Sequence, residues 1–306
     1  MKIITSGSIY IDIDAYASCI AYRELLNLKG IEAKAVTTAK LNESVTESLL
    51  QLNKKLDEYE KSNKEEYIII DVSNKDFFDK IVQEDKIIEI IDHHVGFEKE
   101  WERRLGEKSN IEFIGAVATI IVERYEKENL LDKMSKEIAY LLMAAILDNT
   151  LNFKAKITTV RDKIAYEKLE KIVGNEEDYR KQYFLECQKE IEENLIKAIE
   201  NDTKIEKVNE ILPYVFGQLV VWDKENILGN RRIIYDTLEK FDKEWMMNLI
   251  CLKEGKSYIL SNHKKVKSKM EDLMKNKFEE DIMILPEVWL RKEITKKSFL
   301  PLNNTN

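Results

Sequence analysis

Cysteine, proline and histidine are all scarce in this chain of 306 residues, which has three of each. The cysteines, Cys19, Cys187 and Cys251, are odd in number and lack metal-ligand spacing, so they argue against a disulfide framework and for a reducing cytoplasm. No apolar run approaches the ~18 residues that a membrane-spanning helix needs, and no signal peptide precedes the first strand-like segment. We therefore expect a cytoplasmic protein without a membrane partner.

Positive charge is outnumbered, because 49 Lys and Arg residues face 57 Asp and Glu residues and the net charge is -8. This balance argues against general nucleic-acid binding by charge alone. An apolar fraction of 44% and a charged fraction of 35% are typical of a soluble globular protein. The length suggests two domains, each able to bury its own core. Nothing in the pattern predicts an oligomeric state.

Two of the three histidines stand side by side at the end of an apolar run. Residues 87–91 read Ile-Ile-Glu-Ile-Ile, which is typical of a parallel strand buried on both faces, and Asp92, His93 and His94 follow directly. Open α/β sheets place their sites beyond the carboxyl ends of such strands. One carboxylate and two imidazoles there would form a metal-competent crevice. The alternative is a surface loop with two chance histidines.

Other predicted elements also end in carboxylates. The first strand precedes Asp12 and Asp14, another strand precedes Asp71, and a strongly apolar helix ends at Asp148. A carboxylate at the end of a buried helix is costly unless solvent or a cation compensates it. Asp12 and Asp14 could both turn towards one cation, or they could cap the following helix. Coincidence explains one such ending well and several poorly.

The hydrophobic patterns predict strands that alternate with helices, as in a parallel α/β sheet. Small residues at positions 115–119 open a helix, which could bring its N-terminus close to an anion or could reflect tight packing. The predicted strands of the first half are residues 2–5, 31–36, 66–70, 87–91 and 110–113, and the predicted helices are residues 17–28, 42–61, 76–84, 135–147 and 162–173.

Four segments together resemble the motifs of the DHH phosphoesterase superfamily. They read Gly-Ser-Ile-Tyr-Ile-Asp-Ile-Asp at residues 7–14, Ile-Asp-Val-Ser-Asn at 70–74, Asp-His-His at 92–94, and Ala-Ile-Leu-Asp-Asn-Thr-Leu-Asn-Phe at 145–153. Residues 114–119 also look like the corresponding segment of the family. Four motifs in order and at the family's spacing are a specific signal, and they cover the N-terminal half of the chain.

The second half resembles the DHHA2 domain, which occurs in manganese-dependent (family II) inorganic pyrophosphatases and in the exopolyphosphatase and prune group. The resemblance implies an α/β fold with two domains. A parallel-sheet DHH metal-binding catalytic domain would span residues 1–185, and a smaller α/β DHHA2 domain would span residues 186–306. The second domain would bind substrate and act as a lid, with the active site in the cleft between the two.

Basic residues of the second half are the implied phosphate ligands. The family's tail has a Ser-Arg-Lys motif ahead of a Val-Pro or Leu-Pro pair. Here Leu290 replaces the serine, and two basic pairs compete for the alignment, one by its match and the other by its spacing to Pro301. Ordinary solvated lysines are the alternative for all of them. The implied substrate-binding residues are Lys204, Arg291, Lys292, Lys296 and Lys297.

The resemblance also implies a centre of two divalent ions, Mn²⁺ or Mg²⁺. The implied metal ligands are Asp12, Asp14, Asp71, His93 and Asp148. Asp71 would bridge the two ions, and Asp92 would orient a ligand without touching the metal. His94 would contact a phosphoryl oxygen of the substrate. Asp71, Asp92 and His94 are therefore the expected catalytic residues.

The largest departure from the family lies in the first motif. Family II pyrophosphatases have a metal-binding histidine where this chain has Ser8, whereas the exopolyphosphatase and prune group has asparagine there. We therefore expect an exopolyphosphatase-like hydrolase of phosphoanhydride bonds that acts on polyphosphate. The alternatives are a manganese-dependent inorganic pyrophosphatase and a degenerate, non-catalytic phosphate-binding or regulatory protein. Ser8 should also weaken the first metal position, since a hydroxyl is a poorer ligand than imidazole.

Overall fold

The protein folds as two compact units in the computed structural model, which describes residues 1–61, 64–174 and 178–299. The N-terminal unit comprises Met1–Phe153 and Ile157–Arg180, and the C-terminal unit comprises Lys154–Lys156 and the chain from Lys181 onward. The sequence placed the boundary between residues 185 and 186. The structural division falls after Arg180, inside a continuous helix that no change of composition marks.

The N-terminal unit alternates short strands with helices. In chain order its elements are β1 (Lys2–Thr5), β2 (Tyr10–Ile11), α1 (Ile13–Leu28), β3 (Ala33–Ala35), β4 (Lys40–Leu41), α2 (Glu47–Leu50), β5 (Glu66–Ile70), β6 (Ile87–Asp92), α3 (Glu98–Leu105), β7 (Ser109–Ile111), α4 (Val117–Lys127), α5 (Lys136–Asn149) and α6 (Val160–Val173), followed by the start of α7 (Tyr179–Glu193).

One parallel sheet organises this unit, with the strand order β3-β1-β5-β6-β7. The central strands β5 and β6 are mostly apolar because helices cover both faces. Trp101 of α3 packs with Ile3, Ile69 and Ile90 on one face, and α1 and α4 contact strands from the other. Since all five strands run the same way, the loops after β1, β5, β6 and β7 leave the sheet at one edge.

Two helices predicted from the sequence are wrong. Residues 42–61 form only the four-residue α2 and an irregular run, and residues 76–84 contain no α-helix. In the first case, side chains of α1 bond to the backbone of this segment, because Tyr16 donates to the Lys54 carbonyl and Arg23 to the Lys55 carbonyl. The Asp57 N–H also donates to the carbonyl of Ala35 in β3. Tertiary hydrogen bonds therefore outweigh the helical periodicity of this segment.

The chain leaves α5 through a turn of unusual handedness. Leu151, Asn152 and Phe153 have φ angles of 51°, 54° and 63°, so three consecutive residues other than glycine are left-handed. Each costs roughly 1–2 kcal/mol relative to the right-handed form. The turn reverses the chain directly after Asp148 and delivers it to Lys154, whose ammonium donates to the Leu252 carbonyl within the C-terminal unit.

The C-terminal unit is built on a mixed six-stranded sheet with the order β12-β13-β11-β10-β9-β8, in which only β9 and β10 pair in parallel. Its elements are the remainder of α7, then α8 (Leu195–Asn201), β8 (Thr203–Ile205), β9 (Val215–Val221), α9 (Glu225–Gly229), α10 (Arg231–Leu238), β10 (Trp245–Cys251), β11 (Lys256–Leu260), α11 (Lys264–Met274), β12 (Phe278–Glu279), β13 (Ile282–Leu285) and α12 (Arg291–Ser298).

Helices cover both faces of this second sheet. Side chains of α8 and α10 pack on one face around Leu249, and those of α11 and α12 pack on the other around Met246. Both layers bury the central strands, so β10 is apolar except for Asn248. Throughout the described ranges, no helix combines the length and the apolar character needed to cross a membrane.

Candidate metal centre

Asp71 is the first residue after β5 and adopts a left-handed conformation with φ of 60°. Its N–H donates to the Ile91 carbonyl of the adjacent strand at 2.8 Å, which fixes the turn, and its side chain is nearly buried. Residues other than glycine that are held in this region of φ and ψ cluster at functional sites, where the surrounding structure maintains them. The strand end therefore aims a carboxylate at a defined point instead of releasing it into solvent.

Asp92 organises the two histidines that follow it. Its Oδ1 accepts the backbone N–H of His93 at 2.7 Å and that of His94 at 3.1 Å, and it lies 2.8 Å from His94 Nδ1. Burial acts to raise the pKa of Asp92, but the charge and hydrogen bonds of His94 outweigh it and leave this pKa below its ordinary value. The His93 side chain is buried, whereas that of His94 is 49% exposed.

His93 is held in one tautomer by its surroundings. Its Nδ1 lies 3.1 Å from the Ile114 carbonyl, and a carbonyl can only accept, so Nδ1 carries the proton. Its Nε2 then presents a lone pair to Asp71 Oδ1 at 3.3 Å. Two acceptors this close are stable only when a cation, either a proton or a metal ion, lies between them.

Asp71, His93 and His94 fit a divalent metal ion. Each offers one ligand atom, and these atoms lie within 4.8 Å of one another. Carboxylate and imidazole suit Mn²⁺ and its neighbours in the first transition row. The predicted catalytic residues Asp71 and His94 and the predicted metal ligands Asp71 and His93 thus lie at the same point. Their roles stay predictions.

Asp12 and Asp14, both expected to bind metal, are engaged at helix N-termini. Asp12 Oδ1 accepts the N–H of Ala15 at 3.0 Å and caps α1, which is the alternative that the sequence left open. Asp14 is fully buried, and its two oxygens accept the N–H groups of Val117 and Ala118 at 2.8 Å each. The small residues that open α4 therefore do meet an anion, namely the chain's own Asp14.

The Cys19 thiol of α1 lies near several carboxylates of this region. Burial raises the pKa of the Cys19 thiol well above its ordinary value, and the nearby carboxylates of Asp71, Asp14, Asp79 and Asp12 raise it further. Carboxylates that lie close together repel one another unless cations lie between them.

Two further first-half residues of the prediction, Asp148 and Ser8, do not belong to the group of Asp71, His93 and His94. Asp148 is half-buried at the last turn of α5. Ser8 is half-buried after β1, and its N–H donates to the Phe77 carbonyl at 2.8 Å. Metal binding by Asp12, Asp14 and Asp148, and the substitution of a ligand by Ser8, stay predictions.

The predicted phosphate ligands of the C-terminal unit gather around α12. Arg291 is mostly buried, and its guanidinium donates to the Asp202 carbonyl at 2.7 Å and to Asp202 Oδ1 at 2.5 Å. Desolvation lowers the pKa of Lys204, and the positive charges of Arg291 and Lys292 lower it further. These three basic residues therefore share one neighbourhood, in which Arg291 is committed to an internal ion pair.

The second basic pair lies in the last turn of α12. Lys296 is exposed, and the ammonium of Lys297 lies 5.8 Å from the centre of the Trp289 ring. Lys156 approaches the same ring at 3.5 Å and pairs with Glu287 at 2.6 Å. Both basic pairs thus belong to one helix, and Pro301, on which the alignment depended, lies outside the described residues.

Sequence reasoning missed one buried carboxylate that accepts hydrogen bonds from residues at the start of α4. Asp162 in α6 is fully buried and accepts the Gly115 N–H at 3.1 Å and the Thr119 hydroxyl at 2.6 Å. The available signal was the Thr-x-x-Asp pattern at Thr159, which forms a capping box. That pattern predicts the cap but not the long-range contacts.

The N-terminal unit is therefore a parallel α/β domain with a carboxylate–histidine, metal-competent centre at its strand ends. Residues 2–146 match the family model described as DHH family, N-terminal domain. The predicted DHH resemblance is thus confirmed.

Curated relatives extend this comparison. The chain is 31% identical over 176 residues to the manganese-dependent inorganic pyrophosphatase of Bacillus subtilis (strain 168), covering 56% of each chain. It is 29% identical over 247 residues to the manganese-dependent inorganic pyrophosphatase of Methanothrix thermoacetophila, covering 79% of this chain and 77% of the relative. The match to the Bacillus subtilis protein thus spans little more than half of that relative's length.

Solved structures share the two-domain fold. A putative family II inorganic pyrophosphatase from Methanococcus jannaschii superposes with a TM-score of 0.72 at 22% identity, covering 97% of this chain and 99% of that one. An exopolyphosphatase-related protein from Bacteroides fragilis gives a TM-score of 0.50 at 11% identity, with coverages of 97% and 90%. The predicted fold class, a parallel-sheet domain followed by a second α/β domain, is confirmed.

Proposed function

We propose that the protein is a metal-dependent hydrolase of phosphoanhydride bonds. The observation that carries this proposal is the convergence of Asp71, His93 and His94 at the ends of β5 and β6, where His93 Nε2 faces the Asp71 carboxylate at 3.3 Å. The family match over residues 2–146 contains this centre, and relatives named manganese-dependent inorganic pyrophosphatases match 56% and 79% of the chain. Mn²⁺ is accordingly the proposed cofactor, with Mg²⁺ as the alternative.

Asp71 and His93 would hold the ion, which when bound supplies a hydroxide nucleophile near neutral pH and neutralises charge on the phosphoryl group. Asp92 holds His94 by its Nδ1, and the half-exposed ring is available to a phosphoryl oxygen of the substrate. Asp12, Asp14 and Asp148 are the proposed additional ligands of a two-ion centre, and Asp14 would combine this role with capping α4.

The C-terminal unit would bind the phosphate chain. Lys204, Lys292, Lys296 and Lys297 are the proposed contacts, and they carry charge that a polyanion can neutralise. Arg291 already donates hydrogen bonds to Asp202, so it is better placed to anchor these lysines than to bind phosphate itself. We assign catalysis to residues 1–185 and substrate binding to residues 186–306.

Pyrophosphate is the first substrate to test, because the relatives are named for it. Polyphosphate is the second, since Ser8 stands where the resemblance places a histidine in pyrophosphatases and asparagine in the exopolyphosphatase group. A reducing compartment such as the cytoplasm is supported by the three cysteines, which are buried and are not joined in disulfides.

The decisive experiment measures phosphate release from pyrophosphate, polyphosphate and nucleotides with added Mn²⁺, Mg²⁺ or Co²⁺. We expect metal-dependent release from at least one of the first two substrates and its loss in Asp71→Asn. Asp76→Asn is the matched control, because Asp76 is an exposed acid that follows the same strand. Absence of turnover with every metal and substrate, alongside measurable phosphate binding, would favour the non-catalytic alternative.

A further inference from the structure

A single peptide group joins the metal centre to a buried carboxylate. The carbonyl of Ile114 lies 3.1 Å from His93 Nδ1, and the N–H of the same peptide, contributed by Gly115, donates to Asp162 Oδ2 at 3.1 Å. A trans peptide is planar, so its carbonyl and N–H point in opposite directions. Whatever fixes the N–H therefore also aims the carbonyl, and we call this group the 114–115 peptide.

Asp162 is suited to hold that peptide in one orientation. It is fully buried, and besides Gly115 its oxygens accept the Thr119 hydroxyl at 2.6 Å and the N–H and hydroxyl of Thr159 at 2.7 and 2.8 Å. All four partners are donors, which matches an ionised carboxylate, since it only accepts. The contacts with Gly115 before α4 and with Thr119 in the first turn of α4 span 47 and 43 positions, so this is more than a local helix cap.

The packing around Gly115 leaves no room for a side chain at this position. A Cβ added at this position would lie 2.6 Å from Asp162 Oδ2 and 2.7 Å from a methyl carbon of Thr150. Glycine therefore permits the close approach of the 114–115 peptide to Asp162. Glycine also leaves the peptide free to rotate once the carboxylate is absent.

We propose that Asp162 is a positioning residue of the metal centre, which holds the 114–115 peptide so that its carbonyl fixes the proton of His93 on Nδ1. Nε2 is then the ring nitrogen that faces Asp71 and would meet a metal ion. Without Asp162 the buried Gly115 N–H has no acceptor, and rotation of the peptide would turn that N–H towards His93. The ring would then favour the opposite tautomer, with its proton on Nε2. The inference takes the identity of the metal from the proposed function.

The low histidine count makes the tautomer directly measurable. The chain has three histidines, His93, His94 and His263, so selective ¹⁵N-histidine labelling of the full-length protein gives three ring systems, and His93→Gln assigns one of them. We expect Nδ1 of wild-type His93 to carry a proton without metal, whether or not Nε2 also binds one towards Asp71, and Asp162→Ala to lose that proton from Nδ1. Mn²⁺ affinity, measured by EPR titration, should fall about 10- to 100-fold in the same variant.

Thr159→Ala is the matched control. It removes a capping hydroxyl from the same helix N-terminus but contacts neither the 114–115 peptide nor Thr119. We expect it to lower the stability of α6 while His93 keeps its tautomer and the Mn²⁺ affinity stays within twofold of wild type. Equal effects of the two substitutions on the tautomer would reduce Asp162 to a helix cap and overturn the proposal.

A second variant covers the case in which Asp162→Ala does not fold. Asp162→Asn keeps the size but replaces one acceptor oxygen by a donor, and we expect a smaller shift in the same direction. An unchanged tautomer in a folded Asp162 variant would refute the inference even if the enzyme is active. Conversely, a wild-type protein that binds no Mn²⁺ and hydrolyses nothing would refute the proposed function, while the tautomer measurement would still decide the role of Asp162.

Discussion

Replacing Asp71 by asparagine should remove metal binding without harming the metal-free fold. Asp71 is left-handed, a conformation that asparagine tolerates at least as well. Its Oδ1 lies 3.3 Å from His93 Nε2, and without metal this pair of acceptors needs a bound proton between them. An amide in place of the carboxylate donates its own hydrogen to Nε2, so the variant makes this contact without binding a proton, for a gain of about 1 kcal/mol at neutral pH and above. Loss of one of several carboxylates near Cys19 acts in the same direction.

The metal-bound protein should respond in the opposite way. At a metal concentration of about 100 times Kd, binding stabilises the wild type by about 2.7 kcal/mol. If the substitution weakens binding 100-fold, the same concentration stabilises the variant by only about 0.4 kcal/mol, so the difference is about 2.3 kcal/mol. Asp71→Asn is therefore expected to be the more stable protein without metal and the less stable one with it.

Hydrogen exchange of β5 and β6, followed by mass spectrometry with and without Mn²⁺, measures both effects in the full-length chain. This readout reports local stability and needs no two-state assumption for a two-domain protein. Asp76→Asn should behave as wild type in both conditions. Faster exchange in metal-free Asp71→Asn would show that the carboxylate is a structural group, and an undiminished response to Mn²⁺ would show that Asp71 is not a ligand.

Two further predictions concern Ser8, which replaces the histidine of the family's first motif, and the basic residue Lys204. Ser8→His should raise Mn²⁺ affinity and shift the preference towards pyrophosphate over long polyphosphate, and equal affinities in a metal titration would place Ser8 away from the ion. Because desolvation and the charge of Arg291 lower the pKa of Lys204, its charged form is lost at a lower pH than for an ordinary lysine. An anion favours the charged form, so KM for pyrophosphate should rise as pH increases through that lowered pKa. Lys204→Arg should abolish the rise, and an unaltered pH profile in that variant would contradict a contact between Lys204 and substrate.

The strands that carry the centre could be predicted closely from the sequence. The bounds of β1 and β5 agree with the prediction, and β6 extends it only to include Asp92. Buried parallel strands are continuous apolar runs, so they have a strong signal, and their shared direction brings Asp71 and His93 to one edge. The part of the centre that depends on sheet direction alone was therefore accessible without a structure.

The prediction failed where residues distant in sequence form hydrogen bonds with the backbone of the segment. Residues 42–61 have a helical pattern of charge, but Arg23 and Tyr16 take carbonyls from this segment, and Asp57 bonds to β3. A helix would have consumed those same backbone groups internally. Periodicity reports which face is apolar, and it carries no information about which side chains elsewhere will compete for the carbonyls.

The capping role of Asp14 and the grip of Asp162 on the loop before α4 were likewise not accessible. Asp14 meets the start of α4 across 103 and 104 positions, and Asp162 meets Gly115 across 47. In the sequence each is one acid among 57 acidic residues. What distinguishes them is complete burial against donors, which exists only once the helices have packed.

The turn at Leu151, Asn152 and Phe153 gives this protein a short stretch of backbone with the handedness natural to D-amino acids. For L-residues the three positions together cost about 3–6 kcal/mol, which the packing around the turn must offset. Which residues these positions tolerate therefore depends on backbone chirality more than on the polarity or size of the side chain. Glycine, or a D-residue introduced by chemical ligation, would sit there without strain, whereas valine, isoleucine or threonine would be rejected. The course of the chain from α5 to Lys154 therefore depends on three left-handed backbone conformations, so we expect few substitutions at residues 151–153 to be neutral.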